Sequence, residues 1–240
     1  MVRHLHLLGL TILSTTVDAP SSPIRRRILA AGGLVGASAL LTAMGLTATS
    51  PEPDPVYLST FTFGGEPMTM HILIAYATEH GSTMDVAAAL GEALAEHGHR
   101  VDIRPVEETP DPRAYDAVVI GSAVQHGTWL PGAVDYARGQ QEVLARIPVA
   151  LFCVHIRNTG ADAESRAARQ AYLDDVRPYV QPVAEGFFAG RFNRRGAAEL
   201  LPGWAARLVP TIDMRKWDLI GGWAGDLSMK LEDVVQSPTG

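Results

Sequence analysis

At 240 residues, with 47% apolar and 19% charged side chains, the chain can bury one sizeable core and carry an appendage. Its formal net charge of -6 argues against nucleic acid as a partner, since phosphate-backbone binding needs clustered positive charge. The single cysteine, Cys153, rules out an intrachain disulfide and a Cys-rich metal site, and its apolar neighbours make it a core residue.

The first 69 residues differ in kind from the rest. Ile28 to Ala48 carries no charge, is rich in Ala, Gly and Leu, and as a helix would span ~30 Å, one bilayer core. Arg25, Arg26 and Arg27 precede it, so residues 1–49 read as a basic region and an apolar export signal or membrane anchor rather than a buried helix. Arg25-Arg26-Arg27-Ile28-Leu29 also resembles a twin-arginine signal, with Ile24 where Ser or Thr is usual. Thr47-Ala48-Thr49-Ser50 runs straight into Pro51, a poor cleavage site, so an uncleaved anchor is expected. Positive flanks stay in the cytoplasm, which places the following domain on the outer face of the cytoplasmic membrane. Residues 50–69, opening with Ser50-Pro51-Glu52-Pro53-Asp54-Pro55, read as an extended linker.

From Met70 strands and helices alternate. His71 to Tyr76 is a short run of strand formers, and Val86, Leu90, Ala93 and Leu94 follow at helical spacing. Val101 to Val106 predicts a half-exposed strand, and Ala117-Val118-Val119-Ile120 a central parallel strand covered on both faces. A helix from about Gly132 to Ala145, a strand from Val149 to Val154 and a charged, alanine-rich helix from Ala161 to Val180 come next. Val183 to Ala189 is a fifth strand and Lys216 to Leu227 a last helix, leaving residues 232–240 as a tail. The fold class is α/β: a doubly wound parallel sheet of five strands over residues 70–231.

Ligands of such sheets bind beyond the carboxyl ends of the strands, so the loops after the first, third and fourth strands carry the site. The first is Thr78-Glu79-His80-Gly81-Ser82-Thr83. Hydroxyls at Thr78, Ser82 and Thr83, N–H groups freed by Gly81 and a helix N-terminus suit a terminal phosphate. The loop lacks the Gly-Lys-Ser/Thr of a Walker loop and the GxGxxG of dinucleotide binders. The alternative is an ordinary helix start, with Ser82 as cap and Asp85 completing a capping box.

Tyr115-Asp116-Ala117-Val118-Val119-Ile120-Gly121, His126-Gly127, Phe152-Cys153-Val154 and Asp213-Met214-Arg215-Lys216-Trp217 add motifs to this loop. With these the chain resembles the flavodoxin family, in particular the branch of menaquinone-dependent protoporphyrinogen dehydrogenases. The resemblance implies strand order 2-1-3-4-5 and non-covalently bound FMN, its phosphate held by Thr78, His80, Gly81, Ser82 and Thr83. It implies that the second loop, with Ser122, Ala123, His126, Gly127, Thr128 and Trp129, borders the flavin ring. Trp129 or His126 would stack on the ring, unless Trp129 simply packs ahead of the helix that Pro131 starts. The third loop, with His155, Asn158, Thr159 and Gly160, would meet the pyrimidine edge, and Arg157 is either a donor there or a surface charge.

The segment Arg191 to Arg215 is shorter than its counterpart in that branch. Within it, Glu199 to Pro210, with Leu200, Leu201, Trp204, Leu208 and Val209 near Arg191, Arg194, Arg195 and Arg207, suits a cover over the site, a contact with a membrane or acidic partner, or a plain connection. Three functions follow: an FMN oxidoreductase acting on a small molecule, conceivably with a quinone as partner; an electron-carrying flavodoxin without its own substrate; or a flavin-free interaction module.

Overall fold

In the computed structural model, residues 56–236 are described, with the side chains of residues 203 and 204 left aside. The expected signal or anchor and the Pro-rich start of the linker lie outside the described residues. Among the described residues no helix is long and apolar enough to cross a membrane.

Nine strands and seven helices are present among those residues. The strands are β1 (Phe61–Phe63), β2 (His71–Ala77), β3 (Arg100–Pro105), β4 (Ala117–Gln125), β5 (Thr128–Trp129), β6 (Val149–His155), β7 (Ala184–Ala189), β8 (Arg191–Phe192) and β9 (Ile212–Asp213). The helices are α1 (Ser82–Glu96), α2 (Pro131–Gly139), α3 (Gln141–Leu144), α4 (Ala163–Ala171), α5 (Arg194–Leu200), α6 (Gly203–Ala206) and α7 (Trp217–Gln236). The main sheet runs β1-β3-β2-β4-β6-β7. Its five parallel members, taken in chain order, reproduce the expected 2-1-3-4-5 arrangement.

Alternation along β2 explains the two layers. Ile72, Ile74 and Tyr76 join Val86, Leu90, Leu94, Ile220, Leu227 and Leu231 under α1 and α7. Leu73, Ala75 and Ala77 face the other way, onto Val134, Ala137, Leu144, Leu173 and Val176. A strand buried on both faces reads as a continuous apolar run, which is why period 2 was invisible there.

Five features differ from the sequence reading. Residues 61–63, expected as linker, form β1, which pairs antiparallel with β3 as Phe61↔Ile103 to Phe63↔Val101. The preceding chain is pinned as well: Ser59 N donates to the Tyr76 hydroxyl (3.0 Å), which donates to Ser59 O (2.9 Å). β3 is mostly buried rather than half-exposed; its Asp102 accepts from Thr62 Oγ1 (2.8 Å) and Tyr115 Oη (3.1 Å) and pairs with His71 Nε2 (3.0 Å). The helix expected from Gly132 breaks into α2 and α3 at Gln140, and the one from Ala161 ends at Ala171 before a series of turns. The last helix runs on to Gln236, because Leu231 still packs into the core and His99 Nε2 meets Ser228 Oγ at 2.7 Å.

Gly121 of β4 lies opposite Phe152 of β6, whose buried ring fills the space above the glycine. A Cβ on Gly121 would sit 2.0 Å from Phe152 Cζ. Gly121→Ala should therefore cost about 1–3 kcal/mol of stability in urea unfolding, as overpacked cores do, whereas an unchanged midpoint would mean the ring moves freely.

Candidate functional site

Parallel pairing places the ends of β2, β4 and β6 side by side: Ala77 is opposite Ser122, and Ala123 opposite Val154. The three predicted loops leave the sheet at one edge.

In the first loop, Gly81 takes a left-handed conformation (φ 85°) that other residues adopt only with strain, and it stands as the residue before α1. Its N–H donates to Thr78 Oγ1 at 3.1 Å, closing the turn. Ser82 is the first helical residue, so the capping box is absent. Asp85 does not reach back to the backbone but turns to Arg215 and Arg191. Thr83 is fully buried, and among the described residues its Oγ1 has no hydrogen-bond partner. A hydroxyl in that state costs free energy unless something fills the position.

The second loop is a two-residue β-hairpin. His126 (φ 53°) and Gly127 (φ 89°) occupy its corner between Gln125 and Thr128, the pattern of a type I′ turn. This turn sends Trp129 inward: its indole is 2% exposed and its Nε1 donates to Cys153 Sγ at 3.0 Å. Trp129 belongs to the apolar layer with Leu73, Ile120 and Ala133, so the expected ring-stacking role is corrected to packing. His126, Gly127 and Thr128 stay exposed, and Ala123 is half-buried. The Ser122 hydroxyl is committed to the chain itself, donating to Ala123 O (2.8 Å) and accepting from Leu130 N (3.0 Å).

At the end of β6, His155 is buried and its Nδ1–H donates to Arg157 O at 2.6 Å, since a carbonyl can only accept. That leaves Nε2 as a buried acceptor without a partner. Asn158 takes a left-handed conformation (φ 55°) and its amide donates to Tyr172 Oη at 2.7 Å, so the side chain braces the loop. Arg169 binds the carbonyls of Asn158 and Gly160. Thr159, Gly160 and Arg157 are exposed.

A strap crosses these loops. It leaves the sheet at Gly190, whose N–H donates to His155 O (2.7 Å), and returns through Met214 N to Gly190 O (3.1 Å). β8 and β9 close its base. A Cβ on Gly190 would lie 3.1 Å from Ser82 Oγ, so the strap starts hard against the first loop. Asn193 caps α5 by accepting from Arg195 N and Gly196 N, and its amide approaches His80 O at 3.4 Å. Glu199 near the end of α5 touches two loops, His80 Nε2 at 3.1 Å and Gln125 Nε2 at 3.5 Å.

At the base of the strap lies an ionic cluster whose centre, Asp85 and Arg215, is buried while Asp213 is exposed. Arg215 binds Asp85 through Nη1 (2.5 Å) and Asp213 through Nη2 (2.5 Å), stacks on Trp217 at 4.5 Å, and Arg191 stands 3.4 Å from Asp85. Burial pushes the Asp85 carboxyl upward, and the two guanidinium groups pull it back only in part. Burial also opposes ionisation of Asp213, yet Arg215 holds its carboxyl below the usual range.

Of the predicted residues, Thr78, His80, Gly81, Ser82, Thr83, Ala123 and His155 stand around one edge of the sheet, and Trp129 is withdrawn into the core. Gly190 and Asn193 were not singled out, Glu199 entered only as the start of the segment Glu199 to Pro210, and Asp85 was read in another role. Asp85 looked like half of a capping box, and no local pattern ties it to Arg215. Asn193 did carry a signal, a cap residue before a helix.

Comparison with known proteins follows this geometry. A family model described as "Flavodoxin domain" matches residues 73–197. Protoporphyrinogen IX dehydrogenase [quinone] of Escherichia coli K12 is 28% identical over 89 residues, 36% of this chain and 49% of that protein. The chain thus matches about half the length of this relative. Among solved structures, oxidised flavodoxin 1 of Bacillus cereus gives a TM-score of 0.43 at 11% identity, covering 68% of this chain and 98% of that one. Rubredoxin oxygen:oxidoreductase of Desulfovibrio gigas gives 0.41 at 14%, covering 69% and 36%.

Burial lowers the pKa of His155 below the ordinary 6.5, and that of His99 likewise. Below pH 6.5 the unfolded chain takes up protons that these folded imidazoles resist, so stability present above that pH is lost as pH falls. His155→Gln should flatten the fall in unfolding free energy between pH 7 and pH 5, with His99 keeping a residual slope. Equal slopes in both proteins would contradict a buried neutral His155.

Proposed function

Because this chain belongs to the flavodoxin domain family, whose members bind FMN, we propose that it is an FMN-dependent oxidoreductase moving electrons between a small substrate and a quinone. The first loop fits the phosphate: Thr83 Oγ1 is buried without a partner at the start of α1, beside Ser82. The first N–H groups of α1 have no intrahelical acceptor and, with the helix dipole, would meet the phosphate charge. Asp85 in the same turn would repel that charge, but Arg215 and Arg191 compensate it. His155 Nε2 offers an acceptor to the N–H of the ring's pyrimidine edge. When bound, FMN supplies the hydride and single-electron chemistry.

The single observation favouring a substrate-handling enzyme over a bare carrier is Glu199, through which α5 reaches both the first and the second loop. A carrier needs an open flavin edge for protein partners. A strap over the site limits access and excludes water. The likeness to a quinone-linked protoporphyrinogen dehydrogenase supports the same choice and suggests a porphyrinogen as donor. The proposal includes export: Arg25 to Arg27 and the apolar stretch to Ala48 would tether the domain outside the cytoplasmic membrane, near membrane quinones. A twin-arginine route carries folded cargo, so FMN would travel in place.

The test is anaerobic turnover of the full chain with protoporphyrinogen IX and a menaquinone analogue. Quinone-dependent porphyrin formation is expected. Thr83→Asp should lose turnover and FMN together, because a carboxylate would face the phosphate in a site of low dielectric. Flavin-loaded protein that reduces only a protein acceptor would favour the carrier reading.

A further inference from the structure

Glu79 and His80 of the first loop and Glu199 of the strap each present one ligand atom, and these atoms lie within 4.8 Å of one another. We propose that Glu79, His80 and Glu199 form a divalent-cation site that clips the strap onto the first loop. His80 Nε2 and Glu199 Oε1 are 3.1 Å apart. Two ligands bonded to a tetrahedral Zn2+ at ~2.0–2.2 Å stand roughly 3.3–3.6 Å from each other, so little movement is needed.

Charge points the same way. Two carboxylates converge on one imidazole. The His80 carbonyl is approached by the Asn193 amide at 3.4 Å, and the Glu199 carboxylate by Gln125 Nε2 at 3.5 Å. The second contact helps to orient the Glu199 carboxylate, as partners of metal ligands do, whereas the first holds only the His80 backbone. His80 Nδ1 is buried without a hydrogen-bond partner, which leaves Nε2 as its outward coordinating atom. One nitrogen and two carboxylate oxygens suit a borderline first-row ion such as Zn2+ or Mn2+. Three protein ligands leave positions for water.

The ligands come from two separate parts of the chain, so the ion would act as a removable crosslink between loop and strap. Binding would hold α5 over the site, and its loss would let the strap lift from His80. The site stands on protein ligands alone, so the FMN reading can fail while this one holds.

Isothermal titration of the chelator-treated full chain with Zn2+ should show one site per chain, with affinity at least tenfold lower in Glu79→Gln and in Glu199→Gln. Both substitutions change surface carboxylates, so folding is kept. Amide exchange over residues 190–215 should slow with Zn2+ in the wild type and not in Glu199→Gln. Absence of Zn2+ uptake, unchanged affinity in either variant, or strap exchange indifferent to Zn2+ would overturn the proposal. Flavin content read from visible absorbance in the same samples keeps this result separate from that of the cofactor.

Discussion

A parallel sheet covered on both faces has only its two edges of strand ends where polar chemistry can gather. Ile72 to Ala77, Ala117 to Ile120 and Val149 to Val154 are buried almost without exception, so the interior of this domain is closed to ligands. Each crossover must return the chain to the same starting edge, which aligns the three loops after β2, β4 and β6. The site is a consequence of that constraint. Close packing extends to the loops themselves: Gly121 yields its space to Phe152, and the hairpin at His126 and Gly127 turns Trp129 into the core.

The ionic cluster at the base of the strap solves an electrostatic conflict. Asp85 sits in the first turn of α1, where a carboxylate suits the helix dipole but opposes a bound phosphate. Arg215 compensates that charge from the far end of the strap and Arg191 from its near end. One carboxylate thereby anchors both ends of the strap to the helix that follows the first loop. Removing Asp85 would leave Nη1 of the buried Arg215 unpaired beside its remaining partner Asp213, which is costlier than losing a surface pair. Strap position and first-loop electrostatics are coupled through this residue.

Much of this arrangement was legible in the sequence, for physical reasons that differ by element. The five parallel strands announce themselves because burial on two faces leaves unbroken apolar runs. The first loop is legible because Thr78, Gly81, Ser82 and Thr83 combine a φ-permissive glycine with hydroxyls before a helix. β1 was hidden: Phe61-Thr62-Phe63 is short, follows a Pro-rich stretch and gains its stability from pairing with β3 and from packing of both phenylalanines on the core. Trp129 misled because an aromatic in a ligand loop has the same sequence signature whether it faces the ligand or the core. Only the positive φ at His126 and Gly127 decides, and that is tertiary information. The bonds from Glu199 to His80 and from Asp85 to Arg215 join distant segments, and no periodicity records such pairs.

Every role given to the site depends on FMN at the first loop. The most direct measurement is the identity and amount of flavin released when the purified full chain is denatured, read by chromatography against FMN and FAD. One FMN per chain is the expected result. FAD, or a chain that holds no flavin after incubation with excess FMN, would contradict the account.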